Sequence, residues 1–184
     1  MSIACEQGAT VEHTMCVAGT ALRVRPLETT DVHRLERMFG RLSRESVRLR
    51  FFSPIPRLMG ATLLRLADVD HCRRDALVAL DGDEIVAVAR YSALAGTTRS
   101  GTRDAEIAVT VEDAWQRRGL GRRLTHCLAR LARARGYEAF VARILAENRA
   151  ALALMRDLAP DAEVRFDGGD YEARLPLRRT SDAP

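Results

Sequence analysis

Ala105-Glu106-Ile107-Ala108-Val109-Thr110-Val111, followed after a short spacer by Trp115-Gln116-Arg117-Arg118-Gly119-Leu120-Gly121, is the stretch whose reading decides the fold. The first half is a β-branched, apolar run and reads as a strand over 105–111. The second half opens an amphipathic helix over 118–135, with Leu120, Leu124, Leu128 and Leu131 on one face, arginines around the rest, and Gly136 where a C′ glycine ends a helix. Between strand and helix, Gly119 and Gly121 let the backbone curl so that several N–H groups converge on the helix axis, a geometry that favours phosphate oxygens. Arg117, Arg118, Arg122 and Arg123 add positive charge around that spot, which suits a diphosphate.

Two better-known phosphate motifs are excluded by the same residues. The dinucleotide fingerprint needs a third glycine, and Leu124 stands at that position. The nucleotide-hydrolase loop needs Gly-Lys-Ser/Thr, and the chain has no lysine.

Upstream of the motif, Ala21-Leu22-Arg23-Val24-Arg25 alternates as a strand closed by Pro26, and Thr29 or Thr30 then caps a helix carrying Val32, Leu35, Phe39 and Leu42. Ser43 is a suitable N-cap for a short second helix through Val47, Leu49 and Phe52, which Pro54 and Pro56 stop. A third helical stretch follows over 58–67. Strands 76–80 and 85–91 are joined by Asp81-Gly82-Asp83, a strong hairpin signal, and a Gly/Thr/Ser-rich loop over 96–102 leads into strand 105–111. Downstream come strand 138–145, helix 147–158 and a hairpin over 162–177 turning at Asp167-Gly168-Gly169. Residues 1–20 read as a flexible arm, 21–177 as one domain, and 178–184 as a polar tail.

The length of 184 residues and an apolar content of 47% suffice for one domain with a substantial core. No apolar run approaches the ~18 residues of a membrane span, and the first basic residue is Arg23, so a cytoplasmic protein is expected. Cys5, Cys16, Cys72 and Cys127 lack paired spacing and read as free thiols; His71-Cys72 and His126-Cys127 lack the reach to aim two ligands at one ion, so no metal is expected. The formal charge is +4, and all 29 basic residues are arginine. A basic helix could meet nucleic acid, but no helix-turn-helix pattern precedes it and aromatics are scarce. No Gly-x-Ser-x-Gly elbow supports a hydrolase.

The strand 105–111 and the turn Gln116 to Gly121 closely resemble motif A of the GNAT superfamily of N-acetyltransferases, and Asn148 matches the asparagine that begins that family's next conserved helix. The resemblance covers residues 21–177. Residues 42–52 with Asp68-Val69-Asp70-His71 also look like the GNAT domain of bacterial Pat-type protein lysine acetyltransferases. The resemblance implies a mixed, mostly antiparallel, strongly curved sheet of six or seven strands with helices on both faces. It implies acetyl-CoA as co-substrate, its pantetheine arm along the backbone of Val109, Thr110 and Val111, its pyrophosphate in residues 116–122, and Asn148 holding the arm from the far side.

The acceptor is then a primary amine, on a protein lysine or a small molecule. Such an amine attacks only when neutral, so a base is needed, and Glu106 occupies the family position that often supplies it. Side chains 106, 108 and 110 share a strand face, and partial burial of Glu106 is expected. Asp104, Glu112 and Asp113 are fallback carboxylates. Many relatives place a tyrosine where this chain has Met155, leaving Tyr91, Tyr137 and Tyr171, none tied by sequence to the leaving sulfur. That departure gives an alternative, a non-catalytic acetyl-CoA-binding regulatory module. Arg48 and Arg50 border the acceptor region of this fold, and His71, His126 and Cys127 read as structural or packing residues. Pairing of two copies through the terminal hairpin is a further expectation from the fold.

Overall fold

The computed structural model describes residues 12–53, 60–94 and 103–177. Eight strands form one sheet: β1 (His13–Val17), β2 (Thr20–Pro26), β3 (Arg74–Asp81), β4 (Glu84–Ala93), β5 (Asp104–Val111), β6 (Ala139–Leu145), β7 (Glu163–Asp167) and β8 (Asp170–Pro176). Their order is β1-β2-β3-β4-β5-β6-β8-β7. Every neighbouring pair is antiparallel except β5 and β6. Five α-helices accompany them: α1 (Val32–Arg41), α2 (Arg44–Phe51), α3 (Gly60–Ala67), α4 (Leu120–Ala134) and α5 (Arg149–Leu158).

This is the mixed, mostly antiparallel sheet with helices on both faces that the sequence implies, with eight strands rather than six or seven. The additional strand is β1, so the expected arm of 1–20 is corrected from residue 13 onward. Met15 and Val17 are buried and pair with Leu22 and Thr20 across the tight turn Ala18-Gly19, both residues of which take positive φ. Burial of that alternating apolar pair ties the segment down. The loop 96–102 lies outside the described residues, as do Cys5 and the tail 178–184; Cys16, Cys72 and Cys127 are free thiols.

Alternation along the central strands builds two cores. Leu77, Ala79, Ala87 and Ala89 face α4 and α5, where the predicted stripe Leu120, Leu124, Leu128 and Leu131 is buried. Ala76, Val78 and Val88 face the other way onto α1, α2 and α3. The chain must cross from β5 to the parallel β6 through α4, because parallel neighbours need a long connection. That crossover sets the site: β5 pairs with β6 only over Asp104–Glu106 against Ala139–Val141. Beyond Glu106 the two strands part, while β6 stays paired with β8 as far as Leu145.

No helix among the described residues is long and apolar enough to cross a membrane.

Candidate active site

The parting strands leave a wedge whose β5 edge, residues 107–111, is paired with β4 on one side only. At its wide end the chain turns into α4. Arg117 and Gly119 both take positive φ, 57° and 78°, and the first amide to close on a backbone carbonyl is Arg123 N–H, on Gly119 O at 3.1 Å. The amides ahead of it lie in the turn and first helical residues, at the positive end of the helix. Gly121 is where α4 comes nearest the strand: a Cβ there would lie 3.3 Å from Val111 Cγ2 and 3.8 Å from Val109 Cγ1. Gln116 braces the turn, its amide donating to Val111 O at 3.0 Å and Ser46 Oγ at 3.1 Å.

Charge around the turn is divided. Arg117 is exposed and has no carboxylate partner among the described residues, and Arg118 is likewise exposed, lying 5.2 Å over the Trp115 ring. Arg122 is paired with Asp157 at 2.8 Å, and Arg123 donates to Cys16 O. Asn148 sits across the wedge where β6 passes into α5, its Oδ1 accepting from Ala151 N–H at 3.0 Å as the helix cap.

At the narrow end of the wedge, the β4–β5 register puts Val88, Arg90 and Ser92 beside Thr110, Ala108 and Glu106 on one face. Arg90, Ser92, Glu106 and Ala108 of that face, with Arg50 and Phe51 of α2 and Thr62, Arg65 and Leu66 of α3, line a cleft of about 410 Å³. Glu106 stands in its wall, exposed rather than partly buried as expected, because its strand neighbour Ala108 is too small to cover it. It makes no hydrogen bond or ion pair among the described residues.

A wedge between parallel strands, open amides at the following helix and a carboxylate in an adjoining cleft form one arrangement. The profile of the acetyltransferase (GNAT) family matches residues 44–159. The chain belongs to the GNAT family of acetyltransferases. An acetyltransferase of Pseudomonas aeruginosa is 33% identical over 144 residues, 76% of this chain and 73% of that protein. The GNAT domain of S. lividans PAT superposes with a TM-score of 0.81 at 30% identity, covering 90% of this chain and 96% of that one. YncA of Salmonella typhimurium, solved with its cofactor acetyl-CoA, shares the fold at a TM-score of 0.65 and 19% identity, over 89% of this chain and 97% of that one.

In this GNAT acetyltransferase the fallback carboxylates are all engaged. Asp104 is buried and held by Arg174 at 2.7 and 3.1 Å. Glu112 takes two hydrogen bonds from Arg41 at 3.1 Å. Asp113 accepts from Ser43 N–H and the Ser43 and Ser46 hydroxyls; desolvation pushes its carboxyl up, but those bonds outweigh it and hold it below the usual range.

The tyrosines are also accounted for. Tyr91 and Tyr137 are buried and both donate to Cys72 O, and Tyr171 packs its ring at a tilt against Phe166, centroids 5.1 Å apart. Met155 is buried in the core shared with α4. His71 sits against Asp75, Nδ1 to Oδ1 2.9 Å, and Asp75 is also held by Arg135, a structural role as expected. Arg48 is locked to Glu45 and to Glu147 at the β6–α5 corner, so only Arg50 of that pair lines the cleft.

The sequence reading passed over Arg90, Ser92, Arg65 and the Ser43–Ser46–Asp113 clasp. Arg90 did carry a signal: it is the one charge inside the run Ile85 to Tyr91, a strand whose neighbours are buried.

Proposed function

We propose that the chain transfers the acetyl group of acetyl-CoA to a primary amine by direct attack on the thioester, with Glu106 as general base. One observation carries the reading: of Asp104, Glu106, Glu112 and Asp113, only Glu106 makes no hydrogen bond or ion pair among the described residues, and it lies in the cleft wall at the last residue where β5 and β6 pair.

The remaining residues fit the co-substrate. The backbone edge of Val109, Thr110 and Val111 is unpaired toward β6 and, apart from Val111 O, which Gln116 occupies, can add the pantetheine arm as a strand adds to a sheet edge. The open amides of residues 117–122, with Gln116 bracing the turn and Arg117 and Arg118 alongside, suit the pyrophosphate. Asn148 keeps its side-chain NH₂ available on the far wall, since the cap uses only Oδ1.

Acetyl-CoA supplies an activated carbonyl; everything else falls to the chain. Glu106 accepts the amine proton as the N–C bond forms and the C–S bond breaks, directly or through one water. With Met155 in the core, water protonates the departing thiolate. The acceptor amine enters from the α2–α3 side of the sheet.

Thermal unfolding with acetyl-CoA, with NAD as control, tests the co-substrate, because a ligand of the native state alone must raise the melting temperature. Thiol release on mixing with amines tests turnover. A melting rise specific to acetyl-CoA with no release from any amine would reduce the chain to a binding module. Absence of the rise at millimolar ligand would sink the reading altogether.

A further inference from the structure

The cleft that holds Glu106 also holds more positive charge than it neutralises. Arg50 and Arg90 are half-buried in its wall and Arg65 stands exposed at its edge, against the single carboxylate of Glu106. No carboxylate of the described residues lies within ion-pair distance of Arg50 or Arg90. Arg90 donates to Leu66 O at 2.8 Å, and Arg50 lies 4.9 Å over the Phe51 ring, so each guanidinium keeps donors to spare. Partial burial of two like charges side by side is unfavourable until an anion joins them. Burial, with Arg90 adding repulsion, pushes Arg50 down to about 10.

A second feature lies beneath them. Thr110 is 6% exposed, and its Oγ1 is buried without a hydrogen-bond partner. It faces a void of about 10 Å³ that Arg50, Arg90 and Ala108 also line, room for about one water. Arg50 and Arg90 thus line both the cleft and this small void, where the unused Thr110 hydroxyl lies.

These groups are separate from the phosphate site. Five residues of extended strand from Glu106 to Val111 span about 17 Å, so the turn at 116–121 lies at the other end of β5. Arg90, by contrast, is a diagonal cross-strand neighbour of Glu106, on the order of 7–8 Å away along the backbone.

We infer that the acceptor is a small zwitterionic amine whose own carboxylate or phosphate docks on Arg50 and Arg90 while its amine faces Glu106. The inference rests on the transferase reading above and specifies its acceptor. A cleft of about 410 Å³ is of the size that takes a small molecule, and Arg50 and Arg90 line its wall.

The test is a matched panel: an amino acid, its carboxamide, the corresponding decarboxylated amine, a phosphorylated amino alcohol, and a peptide lysine flanked by acidic residues. Turnover is followed by thiol release, and affinity by calorimetry on protein loaded with CoA. The anionic small amines should exceed the carboxamide in kcat/KM and affinity by roughly ten- to a hundredfold, the worth of one or two charge-assisted hydrogen bonds. Arg50→Gln and Arg90→Gln should each collapse that ratio, with the acetyl-CoA melting rise checking that the variants are folded. The carboxylate and phosphate members decide which anion the seat prefers.

Equal use or equal binding of amino acid and carboxamide overturns the inference while leaving the transferase standing. So does a preference for the acidic peptide over every free amine. Loss of the acetyl-CoA melting rise in the wild type is the distinct failure of the underlying reading.

Discussion

Single residues carry the chemistry, and Glu106 is the first to test. Glu106→Gln keeps the shape of the cleft wall and removes the proton acceptor, so kcat/KM near neutral pH should fall by roughly 10²–10³ with the acetyl-CoA melting rise retained. An unchanged kcat/KM would move the base elsewhere. Gly119 and Gly121 separate two reasons for glycine. Gly119→Ala meets open space but a φ of 78°, and should cost about 1 kcal/mol in urea unfolding. Gly121→Val puts branched atoms where a bare Cβ already comes within 3.3 Å of Val111; about 1–3 kcal/mol and a smaller acetyl-CoA melting rise are expected. If the two variants behave alike, the close approach of α4 to β5 is not what Gly121 serves. Glu106 and the glycine turn were legible in the sequence because their meaning is local, a carboxylate on a strand and a bend before a helix. Arg50 was placed at the acceptor region only through the family resemblance, and its company with Arg90 was not legible, because α2 and β4 come to one cleft only in the fold, with no local signature.

Elements are held to one another by carboxylates that the sequence places but does not pair. Asp31 joins β2 to α1: it is 1% exposed, accepts from Arg25 at 2.7 and 2.8 Å, and takes the Glu28 N–H at 2.9 Å. Desolvation raises its carboxyl pKa, but the Arg25 and Glu28 bonds outweigh it and leave it below the ordinary value. The folded value is thus below the unfolded one, near 3.9, so the stability Asp31 contributes is present above about pH 4 and lost as pH falls through the folded value. Asp31→Asn should cost about 3–5 kcal/mol at pH 7, since Arg25 is left half-buried and unpaired. The gap to wild type should narrow in melting scans below pH 4, and a constant gap would refute the linkage. The same want of pairing information holds here: Ser43 to Phe52 was legible as a capped helix, whereas its clasp through Asp113 to the segment ahead of α4 was not. β1 was legible in principle, from Met15 and Val17 alternating before Ala18-Gly19, but five residues without a partner strand in view look like an arm.

At the scale of the whole molecule, two helical layers grip an open eight-stranded sheet whose interior pairing is interrupted where β5 leaves β6, and the proposal has co-substrate and acceptor meet at that gap. A molecule that gathers a thioester beside a base also exposes its own surface to acyl transfer, and here all 29 cationic side chains are arginine. Guanidinium stays protonated at any working pH, whereas a lysine amine, with a free pKa near 10.4, has a reactive neutral fraction that grows tenfold per pH unit. The side chains therefore offer no amine to the reaction proposed for the site. Held for hours with millimolar acetyl-CoA at about pH 8.5, the protein should gain at most one amine-linked acetyl group by intact-mass spectrometry, on its α-amine. Arg118→Lys places an amine on the exposed turn that the proposal assigns to the pyrophosphate, and this variant should gain one more. Additional hydroxylamine-stable acetyl groups on the unsubstituted chain would show that lysine is not what limits self-modification. An Arg118→Lys protein that stays unmodified would show that an exposed lysine amine does not take acetyl from the thioester under these conditions.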